Sequence, residues 1–151
     1  MFWGRGNGWV IAGLAMVLND LPKDYKTRAK FEQQFREMSY KFKSLQQGDS
    51  LWTSNLLDPG EHPRGESSCS ALALYGLAWG INAGVLSRDV FGPVVEKGWA
   101  RLSQNVSAAG KLGYVQKVSD GPGAFGPEDT QIYAAGAYLM AGCEMYKYLK
   151  Q

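Results

Sequence analysis

One segment of the chain is apolar on nearly every side of a helix, and it constrains the fold more than any other feature. Its apolar residues follow one another with no charge among them: Ala71, Leu72, Leu74, Tyr75, Leu77, Ala78 and Trp79. A surface helix has one apolar face, whereas a helix that is apolar all round is enclosed by other elements. We therefore predict an inner helix that begins near Ser67 and has neighbours on several sides.

Four further helices are predicted from apolar residues that recur in steps of three and four. The first contains Ile11, Leu14, Ala15 and Leu18 and is interrupted at Asp20-Leu21-Pro22. The second contains Phe31, Phe35, Met38, Phe42 and Leu45, with Gly48 as its cap. The third is capped by Ser87 or Asp89 and has the face Val94, Val95, Trp99 and Leu102. The last begins at about Asp129 and has the inner face Ile132, Gly136, Leu139, Met140, Cys143 and Tyr146.

Between these helices lie only short extended pieces, at residues 51–53 and 112–115. Each piece follows an amphipathic helix and precedes a loop and another helix, and the two lie roughly sixty residues apart, a spacing typical of repeated helix pairs. We expect an all-α fold of about five helices in a single domain covering residues 1–151. Helix pairs of this kind build bundles, solenoids or closed toroids, and the loops at one end of a toroid form a cleft.

Composition excludes several classes of partner. The chain has 16 basic and 14 acidic residues, a net charge of +2, and no basic stripe, so we expect no nucleic acid. Its apolar stretches fall short of the roughly 20 residues of a membrane span, and no secretory signal follows Met1. Cys69, Cys143 and the single His62 lack the spacing of zinc ligands. We expect no metal site and two buried or half-buried free thiols.

The glycine segment, residues 3–9, has the sequence Trp3-Gly4-Arg5-Gly6-Asn7-Gly8-Trp9 and predicts a binding loop at a helix N-terminus. Glycine allows positive φ and close approach, the two indoles offer flat platforms, and Arg5 offers a fork that matches a carboxylate. An anionic sugar would suit this set. The alternative is that Arg5 and Asn7 only tie the loop to neighbouring carbonyl groups.

Acid or base chemistry has few candidates in this chain. No motif resembles a nucleophile elbow around a Ser or Cys, and most carboxylates lie on solvated helix faces. Glu66 differs because it directly precedes the inner helix and could line the same cleft as the glycine segment, which makes it a weak candidate for the acid. The alternative is that Glu66 stabilises the helix N-terminus, and Asp129 is expected to cap the last helix in the same way.

Five motifs together resemble glycoside hydrolase family 105, the unsaturated rhamnogalacturonyl hydrolases. They are the glycine segment, Leu57-Asp58-Pro59, Glu66-Ser67-Ser68, Leu77-Ala78-Trp79-Gly80-Ile81-Asn82 and Lys111-Leu112-Gly113-Tyr114-Val115-Gln116. The resemblance covers essentially the whole chain in the same order. It departs at Glu66-Ser67-Ser68-Cys69-Ser70, where relatives usually have Glu-Thr-Ser-Gly-Thr, so the substrate preference within the family stays open.

The resemblance implies part of an (α/α)6 barrel that needs no metal or organic cofactor. The substrate would be a product of pectin cleavage, with a 4,5-unsaturated galacturonic acid linked to rhamnose. An Asp would protonate the double bond, and water would add at C5. Trp3, Arg5 and Trp9 would line the sugar site, with Asn7 shaping the segment. Glu66, from its position before the inner helix, is a further candidate for sugar binding. The catalytic Asp belongs to a region upstream of the glycine segment, which implies that this chain corresponds to the C-terminal part of the enzyme.

Two functions remain open at this stage: the glycoside hydrolase, and a truncated protein that binds carbohydrate or acts as a scaffold without catalysis. The inner helices would lose partners in an open half-barrel, so we expect either self-association or a complementary N-terminal half. The cytoplasm is the expected compartment, with the periplasm as the alternative.

Overall fold

The computed structural model describes residues 2–60, 62–119 and 121–151. It contains five helices: α1 (Gly4–Asp20), α2 (Arg28–Ser44), α3 (Ser67–Asn82), α4 (Arg88–Ser103) and α5 (Ile132–Leu149). Apart from three isolated β-bridges, these residues form no strand, so the predicted all-α class is confirmed.

Helices α1, α3 and α5 run parallel in one layer, with α3 in the middle. At one end, the Arg5 side chain of α1 reaches Tyr133 of α5. At the other end, Trp79 of α3 donates to Asn19 of α1. Asn82 of α3 donates there to Glu144 of α5. The three N-termini therefore share one end of the layer, and the three C-termini share the other.

Helices α2 and α4 form a second layer and run in the opposite direction. Arg28 at the start of α2 donates to the carbonyl oxygen of Leu18 at the end of α1. Arg88 at the start of α4 donates to the carbonyl oxygen of Tyr148 at the end of α5. The connections at the C-terminal end of the inner layer are short, at residues 21–27 and 83–87. At the N-terminal end, the described residues of 45–66 and 104–131 form long loops.

The core lies between the two layers and surrounds α3, whose side chains are buried along nearly its whole length. This confirms the inner helix expected from its apolar sequence. The predicted faces of α2 and α4 are also confirmed, because Phe35, Phe42, Val95 and Leu102 are buried there.

The last helix differs from its prediction in start and orientation. It begins at Ile132, and Asp129 does not cap it; the Asp129 carboxylate instead accepts from the backbone N–H of Gly126. The predicted inner face is wrong, since Ile132, Leu139, Cys143 and Tyr146 are exposed. The buried face consists of Ala134, Ala137, Ala141, Glu144, Met145 and Tyr148. Of the small residues expected to pack closely, Ala134 and Ala137 are buried, whereas Ala135 and Gly136 are exposed.

Two smaller expectations are also corrected. Gly48 does not cap α2, which ends at Ser44 with Leu45 as its C-cap residue. Only one of the thiols is buried: Cys69 lies in the core, and Cys143 is exposed.

Among the described residues, no helix has the length and apolar character that crossing a membrane requires.

Candidate functional site

A cavity of about 320 Å³ opens at the N-terminal end of the inner layer, beside the start of α1. It is lined by Trp3, Arg5, Trp9, Val118, Ser119 and Tyr133. The lining therefore comes from three separate parts of the chain: α1, the loop between α4 and α5, and the first turn of α5. The structure brings together three of the residues predicted from the glycine segment.

The glycine segment is helical rather than a loop, and this corrects the prediction. Helix α1 begins at Gly4, and Trp3 is its N-cap residue. None of the three glycines has positive φ. Their role is close approach: a Cβ atom at Gly4 would lie 2.3 Å from the carbonyl oxygen of Thr53, and one at Gly8 would lie 3.1 Å from the Cβ atom of Leu72. The glycines therefore let α1 press against α3 and the loop that precedes it.

Helical geometry also separates the predicted side chains. Arg5 and Trp9 are one turn apart and share a face. Asn7 lies on a different face, donates to the carbonyl oxygen of Trp3, and lines a second, apolar cavity of about 220 Å³ with Met38 and Phe42. The structure therefore does not bring Asn7 to the cavity of Trp3 and Trp9.

The Arg5 guanidinium is buried and its terminal nitrogens are occupied. Nη1 donates to the carbonyl oxygen of Gln116 at 2.8 Å and to the hydroxyl of Tyr133. Nη2 donates to the carbonyl oxygens of Lys117 at 3.0 Å and Ser119 at 3.4 Å. This geometry favours the alternative in which Arg5 ties a loop to the helix. Its charge still lies at the floor of the cavity, although its fork is not free to bind a carboxylate.

Two aromatic rings enclose the same guanidinium. The Arg5 Cζ atom lies 4.7 Å from the ring centroid of Trp3 and 5.0 Å from that of Tyr133. Cation–π contacts of this kind hold the rings in place and compensate in part for burying the charge. Trp3, Arg5 and Tyr133 therefore form one packed wall of the cavity, with the guanidinium of Arg5 in contact with both rings.

Glu66 is fully buried at the N-terminus of α3 and does not line the cavity. Its carboxylate accepts from the backbone N–H groups of Ser68, Cys69 and Gln116 and from the Ser68 hydroxyl. A carboxylate at this position caps the helix and stabilises its dipole. The geometry favours that role over proton donation, because both carboxylate oxygens already accept from these donors. Burial, with Glu66 beside it, raises the pKa of the Cys69 thiol well above its usual range.

Sequence reasoning missed Tyr133, Val118 and Ser119. The Tyr133 hydroxyl donates to the carbonyl oxygen of Gln116 at 2.5 Å and accepts from Arg5. Burial raises the pKa of Tyr133, and the Arg5 charge works against that shift. The residues lie more than 100 positions from Arg5 in the sequence, so no local pattern could pair them. The one available signal was the position of Tyr133 at the predicted start of an inner helix.

The cavity suits an uncharged or anionic ligand with apolar faces. The Trp9 indole is 45% exposed at its rim, and none of the described hydrogen bonds uses its N–H group. None of the described lining residues is a carboxylate or a histidine. Within residues 2–60, 62–119 and 121–151, no three His, Cys, Asp or Glu side chains come together as metal ligands would. The described lining can stack against a ring and donate hydrogen bonds, but it holds no proton donor of ordinary acidity.

Comparisons with known proteins agree with this architecture. The sequence model of Glycosyl Hydrolase Family 88 matches residues 1–149. The chain is 41% identical to an unsaturated 3S-rhamnoglycuronyl hydrolase from Formosa agariphila over 147 residues, which is 97% of this chain and 39% of that protein. It is 35% identical to a protein of the same name from an Alteromonas species, over 96% of this chain and 35% of that protein. The chain thus spans between a third and two fifths of the length of these relatives.

Solved structures give the same result for the fold. A family 88 glycosyl hydrolase from Bacteroides vulgatus superposes with a TM-score of 0.92 at 37% identity, over 97% of this chain and 43% of that one. A protein from Salmonella enterica described as a possible member of family 105 superposes with a TM-score of 0.81 at 22% identity, over 99% of this chain and 40% of that one. The second match supports the fold alone. The predicted part of an α/α barrel is confirmed, and the chain belongs to Glycosyl Hydrolase Family 88.

Proposed function

We propose that this chain supplies the sugar-binding side of a hydrolase that acts on unsaturated uronyl oligosaccharides. The observation that carries the proposal is the cavity at the N-terminal end of the inner layer, where the Trp3 and Trp9 indoles flank a buried positive charge on Arg5. Aromatic faces stack against the apolar faces of sugar rings, and a positive floor attracts a carboxylate. Relatives named unsaturated 3S-rhamnoglycuronyl hydrolases support the same class of substrate.

The preferred substrate is an unsaturated galacturonyl residue linked to rhamnose, as released in pectin degradation. In the reaction, a carboxylic acid delivers a proton to C4 of the 4,5 double bond, and the oxygen of a water molecule bonds to C5 while a base takes its proton. The product is a hemiketal that opens and releases rhamnose with its hydroxyl group restored. Hydration does not attack the anomeric carbon: opening of the C5–O5 bond leaves a hemiacetal at C1, and collapse of that hemiacetal breaks the C1–O bond to rhamnose without any redox partner.

The residues of this chain have binding and positioning roles in that scheme. Trp9 forms a stacking platform at the rim, and Trp3 forms a wall. Arg5 holds residues 116–119 in place through hydrogen bonds to three carbonyl oxygens. Its guanidinium contributes positive charge to the cavity while these hydrogen bonds stay formed. The acid itself is proposed to be an Asp outside this chain, because the described lining contains no carboxylate.

The decisive assay follows the ultraviolet absorbance of the C4=C5 double bond while the purified, folded chain is incubated with unsaturated galacturonyl-rhamnose. We expect the absorbance to persist with the chain alone and to fall when the upstream part of a family member is supplied. Loss of absorbance with the chain alone would contradict this division of roles and make Glu66 the first suspect for the acid. A parallel run with unsaturated glucuronyl-rhamnose tests the preference between the two uronic acids.

Binding is measured separately by calorimetry with the same disaccharide. Trp9→Ala should weaken binding about fivefold or more, since a stacked aromatic platform commonly contributes about 1 kcal/mol. Tyr25→Ala is the matched control: Tyr25 is exposed to almost the same extent, at 46%, and lies in the connection between α1 and α2 at the opposite end of the layer. Equal affinities of the two variants would remove Trp9 from the site.

A carbohydrate-binding protein without catalysis is the second candidate. It is favoured by the full hydrogen-bond occupancy of the Glu66 carboxylate. This candidate predicts heat on binding with no loss of absorbance, even after the upstream part of a family member has been added. No heat at millimolar disaccharide would count against the cavity as a sugar site under either function.

A further inference from the structure

Arg64 is the one arginine of the chain whose guanidinium donates no hydrogen bond to another described residue. The other arginines each donate to an oxygen atom: Arg5, Arg28, Arg36, Arg88 and Arg101. Arg64 also takes part in none of the ion pairs within the part of the chain that the structure describes. The residue is exposed, so its N–H donors face water or a ligand.

A tyrosine ring holds this guanidinium. The Arg64 Cζ atom lies 3.7 Å from the ring centroid of Tyr114. At this distance the guanidinium must lie flat on the ring, because an edge-on group would bring one of its nitrogens too close to the ring carbons. A flat contact uses the face of the guanidinium and leaves its edge, which carries the N–H groups, pointing outward. The fork of Arg64 is therefore restrained but unoccupied, whereas carbonyl oxygens occupy the fork of Arg5.

The backbone of Tyr114 is fixed by its neighbours in an uncommon conformation. Its φ angle is 57°, in the left-handed region that favours glycine. Its N–H donates to the carbonyl oxygen of Gly126 at 3.0 Å, and its carbonyl oxygen accepts from the N–H of Ser67 at 3.0 Å. Residues other than glycine keep such a conformation only where the surrounding structure imposes it. The ring under Arg64 is therefore a fixed platform.

The stack of Arg64 on Tyr114 lies at the same end of the inner layer as the cavity and not on a lateral edge. Arg64 comes three residues before the first residue of α3. Tyr114 is two residues from Gln116, whose side chain accepts from the Trp3 indole N–H at 3.4 Å. Two residues span at most about 7 Å of chain, so the stack continues the cavity wall that residues 116–119 form. A ligand longer than one sugar ring can reach both.

We propose that Arg64, stacked on Tyr114, binds an oxyanion of the oligosaccharide beyond the ring that occupies the cavity. An arginine fork matches two oxygens of a carboxylate or of a sulfate ester, and paired charge-assisted hydrogen bonds of this kind add specificity. Arg64 thus selects among substrates and takes no part in the chemistry. This inference deepens the proposed function and rests on it, because it requires the first sugar ring to lie between Trp3 and Trp9.

Calorimetry with three ligands tests the proposal and distinguishes the two oxyanions. The first ligand is unsaturated galacturonyl-rhamnose, which has no oxyanion beyond its first ring. The second is the same disaccharide with a sulfate ester on rhamnose. The third is the unsaturated tetrasaccharide of the same repeat, whose third ring is a galacturonate. Tighter binding of the second ligand alone identifies a sulfate, tighter binding of the third alone identifies a carboxylate, and tighter binding of both shows that the fork accepts either.

Variants of Arg64 show whether this side chain causes the difference. Arg64→Gln should lower the affinity for the ligand with the recognised oxyanion about fivefold or more and leave the affinity for unsaturated galacturonyl-rhamnose unchanged. Arg64→Lys keeps the charge without the fork and should recover only part of the lost affinity. Arg36→Gln is the matched control, because Arg36 is also exposed and donates to the carbonyl oxygen of Val85 at the opposite end of the layer. It changes the net charge equally and should not alter binding.

Four results would overturn the proposal. They are equal affinities of the unmodified chain for all three ligands, an equal loss for all three in Arg64→Gln, full recovery in Arg64→Lys, and a loss in Arg36→Gln that matches that of Arg64→Gln. If unsaturated galacturonyl-rhamnose binds and Arg64→Gln changes no affinity, the role of Arg64 is refuted while the proposed function stands. No heat with any of the three ligands at millimolar concentration would refute the cavity as a sugar site and the role of Arg64 with it.

Discussion

Replacement of Glu66 by Gln tests whether this carboxylate holds the structure or is free to act as an acid. The substitution keeps the shape of the side chain and removes the charge. One amide oxygen can still accept from the Ser68 and Gln116 backbone N–H groups. The amide nitrogen, however, replaces the oxygen that accepts from the Cys69 N–H at 2.7 Å. Two donors then face each other in a fully buried position.

The magnitude follows from the number of bonds affected. A hydrogen bond to a buried charged group contributes about 1.5–3 kcal/mol, and a buried donor left without a partner costs about 1–3 kcal/mol. We therefore expect the free energy of unfolding to fall by about 3–5 kcal/mol, a large part of the total stability of an ordinary domain. For a chain of this length the melting temperature should fall by roughly 10 °C.

Thermal unfolding by circular dichroism at one fixed protein concentration measures the effect. Asp129→Asn is the control, since the Asp129 side chain accepts from the Gly126 N–H in a part-buried loop and its replacement should cost less than about 1 kcal/mol. A loss no greater than that of the control would refute the structural role of Glu66. It would also restore Glu66 as a candidate proton donor.

Three further outcomes are expected. Gly4→Ala should lower the free energy of unfolding by about 1–3 kcal/mol in chemical denaturation, because its Cβ atom would lie 2.3 Å from a backbone carbonyl oxygen. The control is Gly48→Ala, which has open space and no positive φ and should change that free energy by less than about 1 kcal/mol. Burial raises the pKa of Tyr133 and Cys69 above their ordinary values of 10.0 and 9.0, so the unfolded chain releases those protons first. The stability that these two buried groups contribute is therefore intact below pH 9 and is lost as the pH rises toward their pKa values in the folded chain. Melting temperatures that stay constant above pH 10 would contradict this. Asn7→Ala should leave the affinity for the unsaturated disaccharide, measured by calorimetry, unchanged, because Asn7 faces a different cavity. A tenfold loss of affinity would place Asn7 in the sugar site after all.

Helical periodicity predicted most of the fold because burial repeats within a few residues. The inner position of α3 followed from its apolar sequence, and the buried faces of α2 and α4 followed from their spacing. The inner face of α5 could not be found in this way. Large apolar residues on both sides of a helix give no sign of which side meets α3, and Leu139 is exposed while the small Ala137 is buried.

The glycine segment shows a different limit. Three glycines in seven residues indicate a loop by propensity, since glycine weakens a helix. Tertiary packing overrides that preference here because α1 approaches Thr53 more closely than any side chain allows and approaches Leu72 more closely than most side chains tolerate. The consequence for the site is direct: a helix, unlike a loop, directs Arg5 and Asn7 to different cavities. Pairing Arg5 with Gln116 and Tyr133 depends on long-range contacts that one sequence does not record.

The backbone of Gln116 joins the N-terminal ends of the three inner helices. Its N–H donates to Glu66 of α3, and its carbonyl oxygen accepts from Arg5 of α1 and Tyr133 of α5. The two peptide groups that flank the Gln116 Cα atom therefore fix the separation of three helix ends, and the cavity wall at residues 116–119 follows that separation. A larger residue at Gly76, whose Cβ position already lies 3.1 Å from the Ile11 side chain, would push α1 away from α3. Such a change deep in the core would tilt the wall and, under the proposed function, alter sugar affinity without touching any residue that lines the cavity.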